Sequence, residues 1–76
     1  DLETAALDAL IKQNRRRFAE IAEENHLLPD ALVDMINEAA YDIVGDIAIE
    51  NSGAGYTVIP DYIKELEEWI ISQQSR

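Results

Sequence analysis

Residues 29–44 read PDALVDMINEAAYDIV, and this stretch decides the fold. At 100° per residue, Leu32, Met35, Ile36, Ala39, Ala40 and Ile43 fall within about 140° of one another. Asp30, Asp34, Glu38, Tyr41 and Asp42 take the opposite side. An apolar stripe of that width set against a carboxylate-lined face predicts an amphipathic helix lying on a core. Pro29 suits the first helical turn, where its missing N–H would find no intrahelical partner, and Asp30 puts a negative charge at the positive end of the dipole. Gly45 comes after the last periodic residue and is placed to end the helix in a left-handed conformation. Asn37 lies at the edge of the stripe, where a half-buried amide needs a backbone partner. A structural role is expected for it, tying the helix to a hairpin or an adjacent loop.

Downstream of Gly45 the period changes. Ile47, Ala48 and Ile49 form a short apolar run, then Asn51-Ser52-Gly53-Ala54-Gly55 intervenes before Tyr56-Thr57-Val58-Ile59. A turn-rich pentapeptide between two β-branched segments predicts a hairpin with strands at about 47–50 and 56–59. Pro60 then opens a last helix, with Tyr62, Ile63, Leu66, Trp69 and Ile70 on one face and Lys64, Glu65, Glu67 and Glu68 on the other. Upstream, Leu2, Ala6, Leu7, Leu10 and Ile11 recur at helical spacing. Asn14 offers an N-cap for a second helix whose face carries Phe18, Ile21 and Ala22 and which ends at Asn25-His26. The expected fold is mainly α with a small β-hairpin: three helices, the two-stranded hairpin, then a C-terminal helix, all in one small domain.

Composition narrows the function. The 76 residues are 47% hydrophobic with only 3 Gly and 2 Pro, a folded rather than a disordered profile. Sixteen acidic residues face six basic ones for a net charge of −10, a field that repels phosphate backbones and anionic membrane surfaces. Basic protein surfaces and divalent cations are the favoured partners. The absence of Cys excludes disulfides, thiolate nucleophiles and thiolate zinc sites. A small secreted domain would usually need such staples, so a cytoplasmic setting is expected. No apolar run approaches the roughly 20 residues that span a bilayer. The chain starts Asp1-Leu2-Glu3 without an initiator Met, which reads as a C-terminal fragment of a larger multidomain protein.

The stretch FAEIAEENHLLPDALVDMINEAAYDIVGDIAIENSGAGYTVIP, residues 18–60, resembles the TerB-C domain, the C-terminal domain of tellurite-resistance TerB-type proteins. The resemblance lies in Leu27-Leu28 before a Pro-Asp-Ala-Leu helix start, and in Ile36-Asn37-Glu38 with Ala40 downstream. Gly45-Asp46, Ile49-Glu50, a polar turn and a second strand complete it. It implies an appendage of multidomain bacterial proteins of stress response or defence, sometimes beside ATPase modules, whose acidic residues are thought to chelate metal. Two features depart from the family pattern: Gln13 stands where an aromatic tends to precede the second helix, and only Glu50 follows the first strand where several acids tend to cluster.

The carboxylates are the only side chains with chemistry to offer. If the hairpin folds back on the third helix, Asp42, Asp46, Glu50 and Asp61 converge on an all-oxygen site of the kind that takes Ca²⁺ or Mg²⁺, although no EF-hand spacing is present. The bland alternative is a solvated face with Asp46 as a turn residue. Asp30, Asp34, Glu38 and Tyr41 form the exposed side of the third helix and are candidates for partner binding, with Gly45 and Pro60 structural. His26 is the single histidine and is expected as a helix C-cap; no second His or Cys joins it at a zinc site. Arg15-Arg16-Arg17 fans out over about 200° and forms no tight patch.

Catalytic constellations are missing. No Ser stands with a His and a carboxylate at an informative spacing, and Gly53 and Gly55 lie in a hairpin turn instead of preceding a helix. The chain is therefore expected to be no enzyme and to take no small-molecule substrate. The leading expectation is an acidic interaction module that docks on a partner protein or on another domain of the same chain. A divalent-metal domain is the alternative. A winged-helix nucleic-acid binder shares the order of elements but needs a basic recognition helix, and this one carries Asp30, Asp34, Glu38 and Asp42.

Overall fold

The computed structural model describes residues 1–74. Helices α1 (Leu2–Ile11), α2 (Arg15–Glu24) and α3 (Pro29–Val44) come first, followed by strands β1 (Ile49–Asn51) and β2 (Tyr56–Val58). A single 3₁₀ turn (Pro60–Tyr62) leads into α4 (Ile63–Gln74). The protein is thus mainly helical with one two-stranded antiparallel hairpin, in the expected order. Among the described residues no helix is long and apolar enough to cross a membrane.

Each helix of the first pair begins and ends on local chemistry. Asp1 Oδ1 accepts from Thr4 N–H at 2.9 Å and opens α1; Asn14 Oδ1 accepts from Arg17 N–H at 3.0 Å and opens α2. Both helices end in the same left-handed corner. After α1, Gln13 N–H donates to Leu10 O at 3.0 Å and Asn14 N–H to Ala9 O at 2.8 Å. After α2, His26 N–H donates to Glu23 O at 3.1 Å and Leu27 N–H to Ala22 O at 2.9 Å. This is the Schellman pattern, which requires a left-handed residue, and Gln13 (φ 58°) and His26 (φ 56°) supply it without being glycine. His26 does end α2, through its backbone angle. α3 closes on Gly45, with φ 73° and its N–H on Tyr41 O at 2.9 Å.

The core is built where α1, α3 and α4 meet: Leu7, Leu32, Ile36 and Leu66 are its largest fully buried side chains. Phe18, Ile21 and Ala22 close it from α2, and Ala48, Ile49 and Val58 from the hairpin. On α3 the buried set is Leu32, Val33, Ile36 and Ala40, an arc rotated by about 45° from the stripe expected from sequence. Val33 goes inward, Met35 and Ala39 are half-buried, and Ile43 is 40% exposed. The expectation of an inward Ile43 is corrected. The rotation comes from the hairpin, which sits beside Asn37 and draws that side of the helix into the core, leaving the Met35–Ala39–Ile43 edge toward solvent.

The hairpin is shorter than expected. Register pairs Ile49 with Val58, Glu50 with Thr57 and Asn51 with Tyr56, so the expected strands 47–50 and 56–59 are corrected to 49–51 and 56–58. Ile47 stays outside the ladder and 53% exposed. Its N–H is taken by Asp46 Oδ1 at 2.7 Å, a local bond that competes with strand pairing. The next two amides, Ala48 N–H and Ile49 N–H, both go to Asn37 Oδ1, at 3.0 and 2.8 Å. Pro60 opens the 3₁₀ turn rather than α4 itself.

Candidate interaction surface

Asn37 does for β1 what a neighbouring strand would do. Its Oδ1 accepts from Ile49 N–H and its Nδ2 donates to Ile49 O at 3.2 Å, so one side-chain amide pairs with one residue's backbone groups in the two-point manner of a ladder. This fixes the hairpin against α3, and two tyrosines fix it further. Tyr56 Oη donates to Asp30 Oδ1 at the start of α3, while its ring packs on Phe18 with centroids 5.8 Å apart. Tyr62 Oη donates to Asp46 Oδ2 at 2.7 Å just beyond the other end. α3 is therefore held at its two ends by phenol–carboxylate bonds and at its middle by Asn37.

Electrostatics reflect that geometry. Asp46 lies where the helix dipole concentrates negative potential, an unfavourable place for a carboxylate. The Tyr62 hydroxyl and then the Ile47 N–H stabilise its anion and hold its pKa below the ordinary carboxylate value. Both phenols are pushed the other way, because each donates to an anion: Tyr62 is raised chiefly by its bond to Asp46, and Tyr56 is raised to about 12, chiefly by its bond to Asp30 with desolvation and the charges of Asp30 and Asp34 adding to it.

The four carboxylates expected to converge on a cation are not gathered. Asp42, Asp46, Glu50 and Asp61 are all exposed, Asp46 is turned to Tyr62 and Ile47, and among the described residues no group of three or more His, Cys, Asp or Glu stands together as a metal-holding set. The reason lies in the register: Glu50 alternates with the buried Ile49 and so points away from the helix that the strand rests on.

The exposed side of α3 is different. Asp30, Asp34, Glu38, Tyr41 and Asp42 all face solvent, Tyr41 at 58% exposure. Asp30 is engaged by Tyr56, whereas Asp34, Glu38 and Asp42 have no ion-pair partner among the described residues. Beside them runs a shallow trough lined by Glu38, Asp42, Met35 and Ala39 from α3 and by Glu3 from α1. Three carboxylates thus surround an apolar floor, with an exposed tyrosine on the same helix. The basic residues are elsewhere: Lys12 pairs with Asp8 at 3.0 Å, Arg16 lies 3.9 Å from Glu20, and Arg17 is shared by Glu20 and Glu24 at 3.6 and 3.5 Å.

Sequence reading reached the acidic face of α3 and missed Glu3, whose place beside Glu38 and Asp42 comes from helix packing alone. It also missed the latching roles of Tyr56 and Tyr62. The signal available was a tyrosine opening the second strand and another shortly after it, with an Asp in the first turn of the helix and one just past its end, which a helix–hairpin fold brings together.

No curated protein and no solved structure matches the chain. The TerB-C domain family matches residues 2–67, a span that takes in α1 to α3, the whole hairpin, both tyrosine latches and the start of α4. With that span matched, the chain belongs to the TerB-C domain family.

Proposed function

We propose that this TerB-C domain is a non-catalytic, acidic interaction module of a multidomain bacterial protein of the stress-response or tellurite-resistance type. It works in the cytoplasm and docks on a basic surface of a partner protein or of a neighbouring domain. The observation that carries the reading is the trough on α3: Glu3, Glu38 and Asp42 ring Met35 and Ala39, and Tyr41 is exposed nearby. An apolar floor supplies contact area and the carboxylates supply register and attraction for Lys or Arg, the usual division of labour at an interface. The same carboxylates set this face against a phosphate backbone.

The test is a titration of the isotope-labelled domain with a Lys- and Arg-rich amphipathic peptide, monitored by NMR. Amide shifts are expected at Glu3 and along Glu38–Asp42, with affinity falling steeply between about 50 and 300 mM salt as exposed charges are screened. The double variant Glu38→Lys, Asp42→Lys is expected to bind at least about tenfold more weakly, the loss of roughly 1.4 kcal/mol. Shifts located elsewhere, or an affinity indifferent to salt, would remove the basis of the proposal.

A further inference from the structure

The two edges of the hairpin are treated differently. Ser52 N–H donates to Gly55 O at 2.9 Å and Ile59 N–H to Ala48 O at 2.8 Å. With Ile49 opposite Val58, the directly bonded pairs of this antiparallel ladder are therefore 52/55, 50/57 and 48/59. The residues between them turn their N–H and C=O away from the partner strand. On β1 the outward residues are Ile49 and Asn51, and Asn37 satisfies both groups of Ile49. On β2 the outward residues are Tyr56 and Val58, and among the described residues nothing bonds their N–H or C=O. β2 is an open edge, the kind that templates pairing with another chain.

That edge faces a groove. A cleft of about 320 Å³ is lined by Tyr56, Thr57 and Val58 of β2, by Leu10, Ile11 and Gln13 at the end of α1, and by Arg15 and Ile63. The volume is at the low end of the roughly 300–1,000 Å³ of ligand clefts, room for a few residues of extended chain. Arg15 marks one end: a Cβ on Gly55 would stand 3.7 Å from Arg15 Nη2, so the guanidinium lies over the turn. Lys12, Arg16 and Arg17 are engaged by carboxylates. Arg15 and Lys64 have no ion-pair partner among the described residues, although the chain holds 16 acids, and of the two only Arg15 lines the cleft.

We propose that this groove is a second docking site, taking an extended peptide segment of a partner protein that carries a carboxylate. The peptide main chain pairs with the free groups of Tyr56 and Val58, one apolar side chain lies among Leu10, Ile11 and Ile63, and the carboxylate forks onto Arg15. Main-chain bonds supply affinity in such strand addition and the pockets for alternate side chains supply specificity. A planar guanidinium suits a carboxylate because two parallel N–H donors meet two oxygens. Peptide polarity is set by charge: a domain with net charge −10 repels an acidic segment everywhere except where a free cation stands. This site is opposite in sign to the trough on α3 and independent of it.

The experiment titrates the isotope-labelled domain with the pentapeptide acetyl-Thr-Ile-Thr-Val-Asp-amide and, as control, with its Asn-ended counterpart. The expected result is perturbation of the Tyr56 and Val58 amides and of the Arg15 side chain by the Asp peptide. Binding should weaken roughly tenfold or more on Arg15→Gln or with the Asn peptide. Arg15 is exposed and makes no ion pair among the described residues, so this variant folds; unchanged spectra away from the groove verify it. Equal binding of the two peptides, equal binding by Arg15→Gln, or shifts confined to α3 would overturn the proposal. So would a concentration-dependent dimer in sedimentation with the Tyr56 and Val58 amides already protected from exchange, since the occupant would then be a second copy of this chain.

Discussion

Replacing Asn37 by Ala removes the one side chain that stands in for a strand beside β1. Three hydrogen bonds go together: those from Ala48 N–H at 3.0 Å and Ile49 N–H at 2.8 Å, and the one to Ile49 O at 3.2 Å. A hydrogen bond contributes about 0.5–1.5 kcal/mol net, while a buried group left without a partner costs about 1–3 kcal/mol. Ala48 is 0% and Ile49 2% exposed, so water reaches the orphaned groups poorly. Because the two N–H groups share a single acceptor, the total falls short of three independent bonds, and a loss of about 2–4 kcal/mol is expected. A 76-residue chain at roughly 0.05–0.15 kcal/mol per residue holds only about 4–11 kcal/mol. The melting temperature should drop by on the order of 10–25 °C. Urea unfolding monitored by circular dichroism gives the global figure, and hydrogen exchange at the Ala48 and Ile49 amides locates it. Asn37→Asp keeps the acceptor for the two amides but sets a second oxygen against Ile49 O where the donor stood, so it too should be less stable than wild type. An Ala variant within about 0.5 kcal/mol of wild type, with those two amides still protected, would refute the reasoning.

The remaining predictions use the same unfolding assay. Gln13→Gly and His26→Gly should each stabilise the protein by about 0.5–1 kcal/mol, because glycine takes the left-handed corner without the Cβ penalty, less its own cost in chain entropy; a loss of stability would mean that the side chains themselves hold the corners. Leu32→Ala and Ile36→Ala should cost about 2–5 kcal/mol, against well under 1 kcal/mol for the same change at the exposed Ile43, and equal losses would contradict the observed rotation of α3. Tyr56 is raised to about 12 in the fold, above its ordinary value near 10, so its bond to Asp30 contributes stability that is complete below about pH 10 and lost as pH climbs toward 12. Tyr56→Phe should flatten that alkaline limb. Asp46 is lowered instead, so the contribution of its bond to Tyr62 is present above the usual carboxylate value of 3.8 and lost as pH falls below it; Asp46→Asn should remove that part of the acid sensitivity.

The element order was legible because each element carries its own local evidence. Residues 29–44 keep a helical period, Pro29 and Gly45 bracket it, and the pentapeptide at 51–55 breaks two β-branched runs. What was not legible depended on contacts across the chain. The rotation of α3 came from the hairpin pulling the Asn37 side inward, and no property of residues 29–44 alone distinguishes Val33 from Met35 as the buried one. Ile47 looked like a strand residue until Asp46 took its amide. The corners after α1 and α2 carry no glycine, so their left-handed geometry had no sequence mark, although Asn14 and Asn25-His26 placed them. At the surface, the acidic run on α3 could be read directly, whereas Glu3 and Arg15 acquired their settings only from packing.

The corner between α1 and α2 has a consequence for how the domain tolerates changes in length. Lys12, Gln13 and Asn14 are the entire connection, and its middle residue is committed to a backbone bond with Leu10 while its last is committed both to Ala9 and, through its side chain, to Arg17. No slack remains, so one inserted residue there would swing α2 about 100° around its axis and take Phe18 out of the core. The turn at 52–55 has bonds of its own, from Ser52 to Gly55 O and from Gly53 N–H to Asn51 Oδ1, but its tip is exposed and lengthening it displaces no core side chain. Natural size variation, engineered tags and inserted epitopes therefore belong at residues 53–54, and the joint at 12–14 is the place where even a single-residue indel should be lethal to folding.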